Sequence, residues 1–308
     1  RDRYLIIDRG AYLLGGRNTS DLFLGSGGTA RQNMDRDVVV CGSGSGRGSA
    51  AALLDYFEDI WALDTNREFR ANGEAGRVLR AAAALRERWA AITGAGWVTP
   101  IDWDAETIQA GGVTVLHGDC AARNKEPVLL NTLTALMQGG REQVVVQTPY
   151  IICNRAMYDA LEKAGGAAQV QIITNAPQRG ANPWGCADYL NQKKAILSTG
   201  VSVCEWHGER SMHTKTILID DRFSIIGSFN WDMRSAYLDT ELMLLVDCPE
   251  LNAALRAETD EMVRQGRLLL PDGTAVEGAA YTAPEMPLYK KLLQPVLRVV
   301  IRPFRYVL

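Results

Sequence analysis

The feature that most constrains this chain is a segment written twice. Residues 1–18 read RDRYLIIDRGAYLLGGRN and residues 213–230 read HTKTILIDDRFSIIGSFN, so Asp8 and Asp220, Gly15 and Gly227, and Asn18 and Asn230 occupy matching positions. Each copy runs through a short apolar stretch, an Asp, a polar turn, a second apolar stretch and a glycine, which is the grammar of a β-hairpin. Side chains alternate along a strand, so His213 and Lys215 face the same way, and the glycine turn can return Asn230 beside them. An imidazole, an ammonium and an amide at one spot suit a phosphodiester. The imidazole attacks phosphorus or protonates a leaving oxygen while the others hold the non-bridging oxygens. In the first copy the His and Lys positions carry Arg1 and Arg3. A guanidinium stays protonated, so it can grip phosphate but can neither attack it nor shuttle a proton.

The pattern H-x-K-x4-D followed by G-[SG]-x-N resembles the signature of the phospholipase D superfamily, whose members typically carry it twice and build one active site between two like domains. Gln147-Thr148-Pro149-Tyr150, Ile172-Ile173-Thr174-Asn175, Val203-Cys204-Glu205-Trp206, Arg234-Ser235 and Thr240-Glu241 agree with that resemblance. Gly15-Gly16-Arg17-Asn18 with Asp21, Phe23 and Arg36-Asp37-Val38 is similar to the bacterial cardiolipin synthase branch. The resemblance covers residues 1–250 and is strongest in the second half.

In that family one His is the nucleophile and forms a phosphohistidine, while the other protonates the leaving alcohol and then activates the acceptor. The resemblance therefore implies a catalytic set of His213, Lys215, Asp220, Asn230 and Glu241, with Glu241 orienting His213 and favouring its imidazolium. It implies a phosphate-binding first half-site of Arg1, Arg3, Asp8, Asn18 and Asp37, with Asp37 the counterpart of Glu241. A substantial part of the first domain usually precedes the first motif, so the chain reads as an N-terminally truncated fragment with a degenerate first motif and little activity alone. The implied function is a cardiolipin synthase-like phosphatidyltransferase, which moves a phosphatidyl group from phosphatidylglycerol or a similar phospholipid to the hydroxyl of another. The implied location is the cytoplasmic face of the bacterial membrane. Three alternatives stand beside it: a phosphodiesterase or nuclease of the same superfamily, a lipid-binding pseudoenzyme, and a homodimer in which two His213 motifs complete one site.

The 308 residues are enough for two domains with ample core. A net charge of −3 gives no global attraction to nucleic acid. The six cysteines (Cys41, Cys120, Cys153, Cys186, Cys204 and Cys248) form no C-x-x-C pair and read as reduced thiols. Three His without ligand spacing indicate no metal, and no cofactor is expected. Gly42, Gly44, Gly46 and Gly48 evoke a dinucleotide loop, but the third glycine of G-x-G-x-x-G falls on Arg47 or Ser49, so a strand-to-helix turn is the better reading.

The expected fold class is α/β: two phospholipase D-like domains, each a mixed β-sheet flanked by helices, the first incomplete. Residues 1–110 read as the C-terminal part of the first domain plus a connector, 111–266 as the second domain, and 267–308 as a basic apolar tail. In the first, the expected elements are a strand at Val38–Cys41 and helices at Ser49–Ala62 and Gly73–Ala91. In the second, strands at Val113–Leu116, Gln143–Gln147, Val170–Ile173 and Val201–Glu205 alternate with helices near Pro127–Met137, Arg155–Lys163 and Ala187–Leu197. A strand at Leu242–Val246 and a helix at Leu251–Gln265 close the domain. The tail from Pro287 carries five basic residues and no acid. Pro295 and Pro303 argue against one clean helix there, it is too short and charged to span a bilayer, and its composition suits an anionic membrane surface.

Overall fold

A computed structural model of the chain describes residues 2–24, 32–42, 48–68, 75–96, 100–121, 125–283 and 285–308. Arg1, Gly44, Gly46, Arg47 and Gly73 lie outside the described residues. The first 110 residues hold β1 (Tyr4–Ile7), β2 (Ala11–Gly15), α1 (Asp21–Leu24), β3 (Asp37–Cys41), α2 (Ser49–Trp61), α3 (Ala75–Gly94) and the one-turn α4 (Trp103–Glu106). There follow β4 (Gly112–His117), α5 (Val128–Gln138), β5 (Gln143–Gln147), β6 (Ile151–Ile152), α6 (Arg155–Gly165), β7 (Gln169–Asn175), α7 (Pro183–Leu197) and β8 (Ser202–Trp206). The chain continues with β9 (Thr216–Ile219), β10 (Phe223–Gly227), β11 (Trp231–Asp232), α8 (Met233–Tyr237), β12 (Leu242–Asp247) and α9 (Pro249–Arg264). Last come β13 (Gly266–Leu269), β14 (Ala275–Glu277) and α10 (Leu288–Val300), then a 3-10 turn over Arg302–Val307.

A mixed sheet of nine strands, in the order β14-β13-β8-β7-β5-β9-β10-β12-β4, forms the body of the second half. Its β5-β7 and β7-β8 pairs are parallel, each linked through a helix, and its other pairs are antiparallel. Successive side chains of β5 serve opposite faces. Val144 and Val146 join the core beneath α5, α6 and α7. Val145 joins Leu218, Ile226, Leu255 and Met262 beneath α9. Helix α6 shows how sequence sets this up. Met157, Ala160, Leu161 and Ala164 recur at helical spacing on the buried face, and the Asn154 side chain caps the start by accepting from the Met157 N–H at 3.0 Å.

The expected α/β architecture is present, and the duplicated segment folds as two like hairpins. Tyr4 pairs with Leu14 as Thr216 pairs with Ile226, and Ile7 with Ala11 as Ile219 with Phe223. A third strand joins each hairpin in matching register, placing Asp37 opposite Gly15 and Met243 opposite Gly227. The three-stranded sheet β1-β2-β3 leaves β1 at its edge, with Leu5 and Ile7 exposed where Ile217 and Ile219 are buried. Tyr12 and Leu14 pack with Leu53 and Tyr56 of α2 against Leu242, Leu244 and Val246 of β12, which joins the two sheets.

Two expectations change at the C-terminal end. β13 and β14 carry the large sheet to Glu277, beyond the boundary at 266 read from the sequence. Pro295 sits inside α10 rather than ending it, and the chain leaves helical geometry only near Pro303. No helix among the described residues is long and apolar enough to cross a membrane.

The motif glycines have a steric reason. A Cβ on Gly227 would stand 2.1 Å from the Leu242 carbonyl oxygen, and one on Gly15 would stand 2.1 Å from Asp37 Oδ1. Gly227→Ala must therefore push β12 away from β10, at a cost of about 3 kcal/mol from overpacking a tight backbone crossing. Urea unfolding of the two proteins checks this.

Candidate functional site

The second hairpin is held at both ends. At its turn Asp220 adopts φ 50, which Asp tolerates better than most residues. Its carboxylate accepts N–H bonds from Arg141, Glu142 and Gln143 at 2.9 to 3.2 Å. Burial raises its pKa, but these donors outweigh that effect and keep it below the ordinary carboxylate value. Asp220 thus pins the turn to β5, at the end of β9 opposite His213. Asp8 occupies the same turn in the first hairpin with φ 48, exposed.

At the other end, Asn175 clamps the backbone just before His213. Its amide donates to the Met212 and Pro149 carbonyls at 2.7 and 3.0 Å and accepts from the Met212 N–H at 2.8 Å. The His213 N–H donates to the Met34 carbonyl at 2.7 Å, so a segment of the first half runs alongside the motif.

That segment delivers the partner of His213. Asp35, with its side chain fully buried, places Oδ2 2.6 Å from His213 Nδ1. The expectation that Glu241 orients His213 is corrected here. Glu241 is buried and accepts from Ser235 Oγ at 2.7 Å, while Asp35 holds the imidazole. The expected counterpart of Glu241 is corrected too. Asp37 pairs with Arg17 Nε at 2.5 Å, whereas Asp35 and Glu241 each stand two residues before matching strand positions, Asp37 and Met243. Only register could reveal this, since Asp35 and Asp37 flank Arg36 symmetrically in the sequence.

Three arginines build this junction. Arg17 bonds the Phe23 and Asp35 carbonyls at 2.9 and 3.1 Å. Arg36 reaches across to Gln147 Oε1 at 2.8 Å, to Thr216 Oγ1 and to Glu258 at 2.7 Å. Arg3 donates to Asn18 Oδ1 at 2.7 Å, so two residues of the first half-site hold each other.

Lys215 is buried, with its ammonium 2.8 Å from His213 Nδ1 and bonded to the His213 carbonyl oxygen. An ammonium only donates and a carboxylate only accepts. The 2.6 Å contact with Asp35 requires the proton on Nδ1; that nitrogen then has no lone pair for the ammonium, which donates to the His213 carbonyl oxygen instead, and the imidazole keeps its lone pair on Nε2. Burial pushes the His213 pKa down to about 4; the Asp35 bond and charge oppose this, and the Lys215 and Arg3 charges add to it. The expected bias toward imidazolium is thus reversed, and His213 is neutral at physiological pH. Phe23 meets the ring edge-on at 4.9 Å. Asn230 is buried, and its Oδ1 has no partner among the described residues; an amide oxygen accepts, so the groups of this side chain that suit a phosphate oxygen are its Nδ2–H donors. His213 lines a cavity of about 190 Å³ together with Tyr150, Asn182, Cys186, Ser211 and others. Among the described residues no cluster of His, Cys, Asp and Glu has the makings of a metal site.

A family model described as a cardiolipin synthase, phospholipase D-like domain matches residues 133–263, which contain His213, Lys215, Asn230 and Glu241. Cardiolipin synthase A of Salmonella arizonae is 26% identical over 197 residues, covering 58% of this chain and 39% of that protein, and the same protein of Salmonella newport matches equally. The chain thus spans about two fifths of the length of the curated relatives it matches. The crystal structure of a phosphatidylserine synthase from Haemophilus influenzae has a similar fold, with a TM-score of 0.60 over 99% of this chain and 70% of that one at 17% identity.

The geometry separates two carboxylates by a titration. Asp35→Asn removes a group that raises the His213 pKa, so the value drops below about 4, whereas Glu241→Gln leaves it in place; NMR titration of the imidazole reads both. Because the folded value lies below the ordinary 6.5, the unfolded chain takes up this proton first and stability falls as pH drops from 6.5 toward 4. Substituting His213→Gln flattens that slope in pH-dependent thermal unfolding.

Proposed function

This chain belongs to the phospholipase D superfamily, and we propose that it is a cardiolipin synthase-like phosphatidyltransferase whose surviving reactive group is His213. The observation that carries the reading is the buried Asp35–His213 pair, 2.6 Å long, with the Lys215 ammonium 2.8 Å from the same ring nitrogen and His213 lining a cavity. A neutral imidazole with its Nδ1–H fixed on a carboxylate is a base or nucleophile at Nε2, the arrangement of a hydrolase triad. Lys215 and the Asn230 amide are suited to hold non-bridging phosphate oxygens and to offset the charge that develops on them.

In the proposed reaction the acceptor hydroxyl adds to phosphorus as its proton passes to His213 Nε2. The P–O bond to the leaving alcohol breaks, and the alkoxide takes that proton back. The two-histidine route of the family, through a phosphohistidine, needs a second imidazole to protonate the leaving group while the first is bonded to phosphorus. Arg1 cannot serve, and the Arg3–Asn18 bond leaves the first motif as a fixed cation. We therefore expect slow turnover by the chain as it stands. Substrates would be phospholipids met at a membrane face, with no nucleic acid among them.

The same Arg3–Asn18 bond favours a second reading, a lipid-binding pseudoenzyme in which the first half-site grips a headgroup phosphate. Thin-layer analysis of lipids from cells lacking cardiolipin separates the two. Cardiolipin made by the Arg1→His, Arg3→Lys protein, and lost by at least about a thousandfold in the same protein with His213→Ala, supports the transferase. Phosphatidic acid as sole product sinks the transfer step, and no product from any version leaves the pseudoenzyme.

A further inference from the structure

The C-terminal segment is amphipathic in the reverse sense to a water-facing helix. Its polar side is turned inward and bonded. Lys290 Nζ donates to the Gln178 and Gly180 carbonyls at 2.9 and 3.1 Å. Arg298 and Asn191 exchange two bonds of 3.0 and 2.8 Å. Arg305 forks onto the fully buried Asp188 at 2.7 and 2.9 Å. Leu297 and Ile301 fill the contact with α7, and the Leu308 carbonyl accepts from the Arg234 N–H at 2.9 Å. The segment is thus fixed to the body rather than loosely appended.

Its outward side is apolar. Leu288, Leu292, Val296 and Val299 recur at helical spacing and are 57 to 72% exposed, and Phe304 continues the face into the terminal turn. Soluble proteins seldom leave so long an apolar stripe to water. Residues 287–308 contain no acid, and Lys291 and Arg302 stay exposed beside the stripe. The inward side of the helix also adjoins the candidate site. Gly180, which accepts from Lys290, lines the His213 cavity with Cys186, and the Lys290 charge is close enough to act on the Cys186 thiol.

We propose that this face of α10 and the terminal turn is a lipid-docking surface, seated in the headgroup and upper acyl region of an anionic bilayer with the rim of the His213 cavity held at its edge. The inference rests on the lipid reading above and names the surface that would meet the lipid. Apolar side chains supply burial, while Lys291 and Arg302 supply attraction to anionic headgroups.

Co-sedimentation of the full chain with vesicles of phosphatidylglycerol and phosphatidylcholine, and of phosphatidylcholine alone, tests it. Partition onto the mixed vesicles should fall about tenfold or more in Leu292→Glu/Val296→Glu. The preference for phosphatidylglycerol should be lost in Lys291→Gln/Arg302→Gln. Both pairs lie at exposed positions, so thermal unfolding should be unchanged. Unaltered partition in the glutamate variant overturns the proposal, as does a dimer in sedimentation velocity that this variant converts to monomer, which would assign the face to a second copy. Turnover of a soluble short-chain phosphatidyl substrate separates the two inferences. Equal turnover by both proteins with vesicle binding lost in the variant supports the surface, a parallel loss of turnover overturns it, and no turnover by either protein counts against the transferase while the vesicle result still decides the surface.

Discussion

The 2.6 Å bond between Asp35 and His213 is the contact on which the candidate site depends, because its two partners come from opposite halves of the chain. A buried carboxylate beside a buried imidazole costs desolvation on both sides, and such a pair persists only where backbone and neighbouring groups hold its geometry. Here that frame is dense. Arg17 ties the 35–37 segment to the end of β2, Arg36 ties it to β5, β9 and α9, and Met34 ties it to the residue before the motif. The first half therefore acts as a support for the second half's histidine, whatever its own motif retains.

The internal repeat explains why the support is crossed. Asp35 and Glu241 occupy the same register position in two like hairpins, and Asp35 serves the histidine of the other half. Glu241, at the matching position, is buried and bonded to Ser235 instead. The crossed support has a physical consequence: the second half alone cannot set the proton on its own imidazole.

Much of this was legible beforehand. The hairpins, the α/β alternation and nearly every helix of the second half follow from period and turn chemistry that act within a few residues, as Asn154 with its apolar spacing shows for α6. What failed was long-range. The choice between Asp35 and Asp37 depends on which residue sits opposite Gly15, a fact of strand pairing that local sequence does not carry. The place of Asp220 in the motif does not reveal its partners, the Arg141, Glu142 and Gln143 N–H groups of a segment far away in the sequence. The sequence does not signal β13 and β14 because Gly266–Leu269 and Ala275–Glu277 are too short to read as strands without the edge of β8, and then that of β13, to pair with. Pro295 misled in the other direction. The missing N–H costs one helical bond, and packing of Leu297 and Ile301 on α7 outweighs it.

The substitutions in the first motif gain meaning from the electrostatics of the second. The Arg3 charge acts on His213 strongly enough to lower its pKa, in the same direction as Lys215 and burial. Two fixed cations beside one neutral imidazole make a site that repels a proton and attracts a phosphate. A bound phosphodiester would reverse the balance, since its negative charge favours imidazolium at His213 and thereby lets the base that accepts a proton return it as an acid. In the proposed reaction the substrate itself supplies the missing half of the acid–base cycle. On that proposal, a second cation in place of a second histidine keeps binding and gives up the partner that would make the cycle fast.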